Sequence, residues 1–275
     1  MENLSRGFKE NKAFRISSCL VFLLLAVTLL APVIAPYDPL EAIMRNANAA
    51  PSAEHLFGTD KLGRDVLSRI LYGASYSLSS VVGLVTLIFV VGTTLGVIAG
   101  YSGGIVDTVI MRIADMMISF PGVILAIAIA GILGGSLFNA MVALLCVTWT
   151  KYARLSRSMV LKIKKHAFVS AAVVSGGSSV HILWVHILPN ILPLMIITAA
   201  ADIGAMMMEL AGLSFLGFGS QPPAPEWGLM LNEGRQQLQT APWLMFFPGL
   251  AIFTTVVVFN LWGDSLRDVL DPRQD

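Results

Sequence analysis

The chain has 275 residues, of which 56% are hydrophobic and only 13% are charged. A soluble domain carries roughly a quarter charged residues, so about half that fraction indicates a protein whose solvent is mostly lipid. The formal net charge of +1 excludes a strongly basic nucleic-acid-binding protein, and no nucleic-acid partner is expected.

Six apolar stretches are long enough to cross a bilayer, because about 20 apolar residues rising 1.5 Å each span the hydrocarbon layer. In chain order they are residues 16–34, 78–99, 109–133, 139–158, 188–213 and 243–262. Pro121 interrupts the third stretch, which could form one kinked span. The pattern predicts an all-α polytopic membrane protein with six transmembrane helices.

The first stretch has an alternative interpretation as a cleaved signal peptide. It is longer than the usual apolar region of about 7–15 residues, and a Pro-rich segment follows it instead of a small-residue cleavage site. A retained membrane anchor is therefore favoured.

The distribution of Lys and Arg predicts the orientation of the chain. With the N-terminus inside, the cytoplasmic segments hold more than twice as many Lys and Arg residues as the outer segments, as the positive-inside rule requires. The resulting layout is a cytoplasmic N-terminus at 1–15, a first transmembrane helix at 16–36, an outer loop at 37–77, a five-helix core at 78–262 and a cytoplasmic C-terminus at 263–275. The core contains a cytoplasmic loop at 159–187 and an outer loop at 214–242.

Charged residues of alternating sign stand in the first outer loop: Asp60, Arg64, Asp65 and Arg69. Their spacing is near one helical turn, which predicts ion pairs on a short interfacial helix. As exposed pairs, each would contribute less than about 1 kcal/mol. A structural staple of the outer loop is favoured over a substrate site.

The cytoplasmic loop contains FVSAAVVSGGSSVHILWVHILPN at 168–190. Ala171 and Ala172 offer a small-residue surface, and Gly176 and Gly177 allow a hinge that a side chain would resist. Beyond the hinge an apolar stripe recurs at helical spacing, formed by Val180, Leu183, Trp184 and Ile187. The pattern indicates a compact knob lying along the membrane face, and the alternative is an ordinary loop with a Gly-Gly turn.

This loop resembles the signature loop of permease subunits of ATP-binding-cassette importers. The matching residues are Ala171, Ala172, Gly176, Ile187, Leu188 and Pro189, and His186 fits the His-Ile-Leu-Pro-Asn form of the peptide and nickel branch. Ser170 departs from the pattern, because the family usually has glutamate there. Further segments are similar to the second permease subunit of that branch, namely LFGTD at 56–60, GRDVLSR at 63–69, LSFLGFG at 213–219, EWG at 226–228 and GDSLRD at 263–268.

The resemblance implies the type I importer permease fold and a specific set of partners. These are a second, non-identical permease subunit, two cytoplasmic ATPase subunits and an external solute-binding protein, with this chain in the bacterial inner membrane and both termini cytoplasmic. The loop helix is expected to dock in a groove of an ATPase. The residues implied in this coupling are Ala171, Ala172, Gly176, Gly177, His186 and Pro189.

No catalytic constellation is evident in the sequence. The phosphate-binding pattern Gly-x-x-x-x-Gly-Lys-Ser/Thr is absent, so ATP and Mg²⁺ are expected on the partner ATPases and no cofactor is expected in this chain. The histidines are too scattered for a metal site, and His181 and His186, five residues apart, are expected on different helix faces. The chain is therefore predicted to transport without being an enzyme.

Two carboxylates and a thioether share one face of the fifth apolar stretch: Asp202, Met206 and Glu209. An ionised carboxylate at the bilayer centre costs about 2.5–3.5 kcal/mol, so it should face a partner or a wet cavity. Acidic and thioether groups could line a path for a metal cation or its chelate. The slightly favoured alternative is that Asp202 is buried against a partner helix and the methionines are adaptable packing.

The cargo suggested by these patterns is nickel, a metal chelate, or a di- or oligopeptide. The run DIGAMM at 202–207 resembles the nickel subgroup more than the peptide subgroup. A competing class is a self-sufficient secondary transporter or channel. Such folds often contain paired broken helices, and Pro121 is the one evident interruption here.

Overall fold

Helices form nearly all the regular structure in the computed structural model, which describes residue 8 and residues 11–270. The helices are α1 Lys12–Ile34, α2 Val66–Ser102, α3 Gly104–Ile118, α4 Gly122–Leu133, α5 Leu137–Ile163, α6 Ala167–Val174, α7 Ser179–Ile182, α8 Leu188–Phe215, α9 Trp227–Gly234 and α10 Trp243–Leu270. Short 3₁₀ turns occupy Met44–Asn46 and Arg235–Gln237, and a π-helical turn occupies Leu183–Ile187. Within the described ranges there is no strand beyond an isolated bridge between Thr59 and Asp65. The all-α prediction is confirmed.

Four helical segments are long and apolar enough to cross a membrane: Lys12–Ile34, Val66–Ser102, Ser179–Phe215 and Trp243–Val269. Helices α3 and α4 are long and apolar enough to cross a membrane only when they are taken as a pair, and the bend between them is 92°. The structure therefore gives four or five candidate spans where the sequence predicts six.

The missing candidate is α5, which contains the predicted stretch 139–158. Its second half carries Lys151, Arg154 and Arg157, and their charges lower the average hydropathy of the helix. The bend between α3 and α4 is much sharper than a kink in one span, because Pro121 stands outside both helices and directly precedes α4.

Helix α2 is longer than the predicted span at 78–99. The Asp65 carboxylate caps its first turn by accepting the Ser68 backbone N–H at 2.7 Å, which starts the helix well before the apolar run. The added turns carry buried polar side chains, including Ser68 and Ser77, because the outer segments cover them. The helix ends where Gly103 adopts a φ of +67°.

Helices α2 and α5 are in close contact through three glycines at four-residue spacing. A Cβ at Gly96 would stand 2.0 Å from Ser156 Oγ and 2.2 Å from the Ala153 carbonyl oxygen, and Gly92 and Gly100 are similarly close to α5. Small residues at this spacing let helix backbones approach each other inside a membrane. The sequence contains these glycines at four-residue spacing, but a hydropathy pattern does not reveal the spacing of small residues.

Candidate functional site

The predicted cytoplasmic segment between α5 and α8 folds into two short helices around a glycine turn. Helix α6 ends at Val174, and Gly176 follows with a φ of +79°, a conformation that glycine adopts at low cost. The Gly177 N–H donates to the Ala172 carbonyl at 3.0 Å, and Ser178 caps α7. The predicted Gly-Gly turn is therefore present.

Buried residues anchor the inner side of this segment to the membrane helices. Val169, Ile182 and Ile187 are 4%, 2% and 0% exposed. They form one apolar cluster with residues of α2, α5 and α8, including Ile163 and Ile191. The segment is thus continuous in packing with three long helices.

The outer side of the same segment exposes large apolar side chains: Val173, Val174, Val180, Trp184 and Val185. Val174 is the most exposed of them, at 88%. Adjacent large apolar side chains exposed on a polypeptide commonly mark a surface that a partner covers. Because the resemblance predicts coupling to an ATPase at this segment, we call this surface, together with Ala171 and Ala172, the coupling knob.

The predicted apolar stripe of the loop is split between two sides. Val180 and Trp184 are exposed, whereas Leu183 is half-buried and Ile187 is buried. Val180 and Trp184 are four residues apart, as are Leu183 and Ile187, so each pair lies on one side of the helix. Of the residues carried over by resemblance, Ala171, Gly176 and Pro189 are exposed, and Ala172, Gly177 and His186 are half-buried. Ser170 is exposed too.

The expectation that His181 and His186 lie on different helix faces is wrong. Their ring centroids are 6.0 Å apart. The π-helical turn brings residues five apart to the same side, which an α-helix would not do.

Asp202 on α8 is held by two residues of α5. Its carboxylate oxygens accept hydrogen bonds from Lys151 Nζ at 2.7 and 2.8 Å, and Tyr152 Oη donates to Oδ2 at 2.9 Å. The carboxylate therefore has a partner helix, as the packing alternative predicts.

The other two predicted path residues stand in different surroundings. Met206 is 4% exposed and packs within the main core, so its thioether does not reach the surface of this chain. Glu209 is half-buried, and it makes no ion pair with any residue in the described part of the chain. The path formed by these three residues stays a prediction, with Met206 reached from the core side only.

Helix α5 carries a row of basic residues that the sequence analysis counted only for the orientation of the chain, without predicting their partners. Lys151, Arg154 and Arg157 recur at three-residue steps, and each pairs with an acidic residue of another helix. Arg154 binds Asp115, and Arg157 Nη2 donates to Asp107 Oδ2 at 2.6 Å. The acidic residues Asp115 and Asp202 within other apolar stretches were the available signal.

At the N-terminal end of α2, buried charges join the two predicted outer loops. Arg64 Nε donates to Asp60 Oδ2 at 2.6 Å, and Arg69 Nη2 donates to Glu233 Oε2 at 2.9 Å. Arg64 Nη2 lies 3.2 Å from the same Glu233 oxygen. The side chains of these four residues, which we call the outer cluster, are at most 12% exposed.

The prediction of exposed pairs on a short helix is wrong for this motif. Arg64 precedes α2, and its main partner from outside the motif, Glu233, comes from α9 in the second outer loop. Asp65 belongs to a separate interaction, because it caps α2 and accepts from His55 Nδ1 at 3.0 Å. The ion pair within the motif could be predicted from residue spacing, whereas the partner Glu233 in a distant loop could not.

The segment EWG fixes α9 against α2. Glu226 caps α9 by accepting the backbone N–H groups of Gly228 and Leu229 at 2.8 and 2.9 Å, and Trp227 Nε1 donates to the Ile70 carbonyl at 3.0 Å. Burial raises the pKa of the Glu226 carboxyl above its ordinary value, although the two N–H groups favour its charged form. This motif is thus a structural joint between the outer loops.

Two family models match the sequence. Residues 92–275 match the family described as binding-protein-dependent transport system inner membrane component. Residues 4–51 match the N-terminal transmembrane domain of oligopeptide transport permease C.

Several named proteins are similar to this chain over nearly its whole length. The dipeptide transport system permease protein DppC of Alkalihalophilus pseudofirmus is 43% identical over 98% of this chain and 88% of its own length. The nickel transport system permease protein NikC of Escherichia coli is 41% identical over 94% of both chains. The glutathione transport system permease protein GsiD of Pectobacterium atrosepticum is 43% identical over 98% of this chain and 89% of its own.

A solved structure shares the fold. A chain of the MetNI methionine ABC transporter in an inward-facing conformation superimposes with a TM-score of 0.59, covering 74% of this chain and 97% of that one at 19% identity. The expected type I importer permease fold therefore has a structural neighbour. The chain belongs to the family of binding-protein-dependent transport system inner membrane components, as a permease subunit of the peptide and nickel branch of ATP-binding-cassette importers.

Proposed function

We propose that this chain is one of two non-identical permease subunits of an importer, driven through its coupling knob by two separate ATPase subunits. An external solute-binding protein delivers cargo to the outer loops. The observation that carries this proposal is the coupling knob itself, which exposes Val174 and Trp184 while its inner side is packed into membrane helices. Motion of a docked partner would therefore move α5 and α8 together.

The finer topology that we propose is six spans with both termini in the cytoplasm. The α3–α4 pair counts as one broken span, and α5 counts as a span because each of its three central basic residues is paired with an acid. Pairing lowers the cost of charge within a membrane. The segment between α5 and α8, which we call the coupling segment, begins beside the basic residues Lys162, Lys164 and Lys165. These residues favour a cytoplasmic position for it.

The outer cluster and the coupling segment occupy opposite ends of α2. Arg69 lies in its first turn, and Tyr101, near its end, accepts a hydrogen bond from Lys164 Nζ at 2.7 Å through its carbonyl oxygen. A membrane between these ends places the outer cluster outside when the coupling segment is inside. This arrangement supports the predicted orientation.

We assign a small charged cargo, either a di- or oligopeptide or nickel and its chelates. The relatives are named for dipeptide, nickel and glutathione transport. Asp202 with Lys151, and Glu209 further along α8, present both signs of charge on the candidate path, which suits a zwitterionic peptide. The resemblance of residues 202–207 to the nickel subgroup supports nickel as the second candidate. Membership of the importer family argues against a self-sufficient secondary transporter or channel.

The test of the proposal is a reconstitution of the complete importer in proteoliposomes. Val174→Asp should leave assembly of the permease pair intact and abolish ATP-dependent uptake, because Val174 is 88% exposed and its charge would disrupt docking. Val174→Ile, which keeps an apolar surface of similar shape, is the matched control and should retain uptake. Sustained uphill accumulation by this chain reconstituted alone would contradict the proposal.

A further inference from the structure

Two histidines of the coupling segment lie together on one side of the chain. The His181 and His186 rings have centroids 6.0 Å apart and planes inclined by 82°. His181 is exposed and His186 is half-buried, so solvent ions can reach the pair.

The π-helical turn is the structural cause of this proximity. In an α-helix, residues five apart differ by about 140° around the axis, since each turn holds 3.6 residues. Here the Leu188 N–H donates to the Leu183 carbonyl, five residues earlier, and this wider turn rotates His186 towards His181. Single π-helical turns inside helices often occur at functional sites.

The spacing of the rings fits a shared metal ion. With metal–nitrogen bonds of about 2.0–2.1 Å, two imidazole centroids on one ion are separated by roughly 5.2 Å at a tetrahedral angle and by at most roughly 6.4 Å when opposite. The observed 6.0 Å lies within this range. Imidazole nitrogen is a ligand suited to Zn²⁺, Cu²⁺ and Ni²⁺.

We propose that His181 and His186 form a two-imidazole site for a late first-row transition-metal ion, with solvent water completing the coordination. His166 is not a third ligand in this arrangement. Its ring stacks on Phe168 at 5.6 Å, and Phe168 in turn lies 6.2 Å from His186. In the part of the chain that the structure describes, no three His, Cys, Asp or Glu side chains form a metal-binding group.

Metal binding at this pair would restrain the coupling segment. The ion would tie α7 to the π-helical turn that follows it, and the backbone of His186 is further held by Asn190 Nδ2, which donates to its carbonyl at 2.7 Å. A restrained segment would transmit less movement between a docked ATPase and α8. This effect on uptake rests on the proposed function, whereas binding itself does not.

The binding test uses the purified full-length chain in detergent, with an affinity tag that contains no histidine. Equilibrium dialysis against Zn²⁺ and Ni²⁺ should give one site whose affinity falls at least about tenfold in His181→Ala and in His186→Ala. Electron paramagnetic resonance with one equivalent of Cu²⁺ should show coupling to two nitrogens, reduced to one in each variant. His166→Ala is the matched control and should bind as the unaltered chain does.

Equal metal affinity in the unaltered chain and in the His181→Ala/His186→Ala double variant would overturn the proposal. So would a copper spectrum without imidazole coupling in the unaltered chain. Both readouts are independent of transport, so failure of the metal site would leave the importer assignment standing. Inhibition of reconstituted uptake by Zn²⁺, relieved in the double variant, is the further result expected if both proposals hold.

Discussion

Arg69 Nη2 donates to Glu233 Oε2 across 2.9 Å, joining the first turn of α2 to α9 over 164 residues of sequence. The same carboxylate lies against Arg64, so one acid of the second outer loop pairs with two guanidinium groups of the first. Removing one partner from a buried ionic group is costly, because the remaining charge stays desolvated.

Glu233→Ala is therefore expected to destabilise the protein by about 3–5 kcal/mol. The measurement is thermal unfolding of the purified chain in detergent. Glu54→Ala provides the control, since Glu54 is exposed and contributes only its backbone carbonyl to a hydrogen bond from Tyr37. A transition temperature unchanged in Glu233→Ala would mean that the outer cluster does not hold the loops together.

A substitution at Gly176 can add a charge next to the coupling knob without a steric clash. A Cβ at this position meets nothing within 4 Å, and its φ of +79° is tolerated best, after glycine, by Asn and Asp. Gly176→Asp and Gly176→Asn should therefore fold alike and differ in charge. In the reconstituted importer, Gly176→Asp should lose most ATP-dependent uptake while Gly176→Asn keeps most of it. Equal uptake by the two variants would argue against docking at this turn.

Asp202 is expected to matter for cargo beyond its contact with Lys151. Asp202→Ala should lower uptake while assembly with the partner permease stays normal. The double variant Asp202→Ala/Lys151→Ala removes both members of the pair, so it leaves no unpaired charge.

The double variant separates two explanations of that loss. If Asp202 contacts the cargo, uptake stays low in the double variant. Recovery of uptake there would show that Asp202 serves only to neutralise Lys151, and wild-type uptake in Asp202→Ala itself would remove Asp202 from the path.

The glycine contact between α2 and α5 is expected to be intolerant of a single methyl group. Gly96→Ala places a Cβ 2.0 Å from Ser156 Oγ and 2.2 Å from a backbone oxygen, and such overpacking typically costs about 1–3 kcal/mol. Gly83→Ala on the same helix is the matched control, because its Cβ would meet one methionine methyl at 3.8 Å. The unfolding transition temperature, measured in detergent, should be lowered only in Gly96→Ala. Equal transition temperatures would show that the helices separate at little cost.

The number of spans illustrates how far hydropathy carries a prediction. Long apolar runs produce α1, α2, α8 and α10 because a lipid-facing backbone must satisfy its own hydrogen bonds. The sequence also predicts a span at 139–158 within α5, but a test of average hydropathy and charge excludes this helix, whose basic residues pair with Asp107, Asp115 and Asp202 from other helices. A hydropathy average counts each charge singly, whereas a folded membrane protein contains charges in pairs.

The sequence by itself determined the helical class, the glycine turn at Gly176 and the family, because these follow from local residue patterns along the chain. Only the tertiary structure decided that Glu233 joins the outer cluster, that Met206 lies in the core and that His181 meets His186. The physical reason is that the first two depend on which distant segments pack together. The contact between His181 and His186 depends on a backbone hydrogen bond that spans five residues instead of four. This bond changes the helix face on which His186 lies, and no residue pattern in the sequence predicts it.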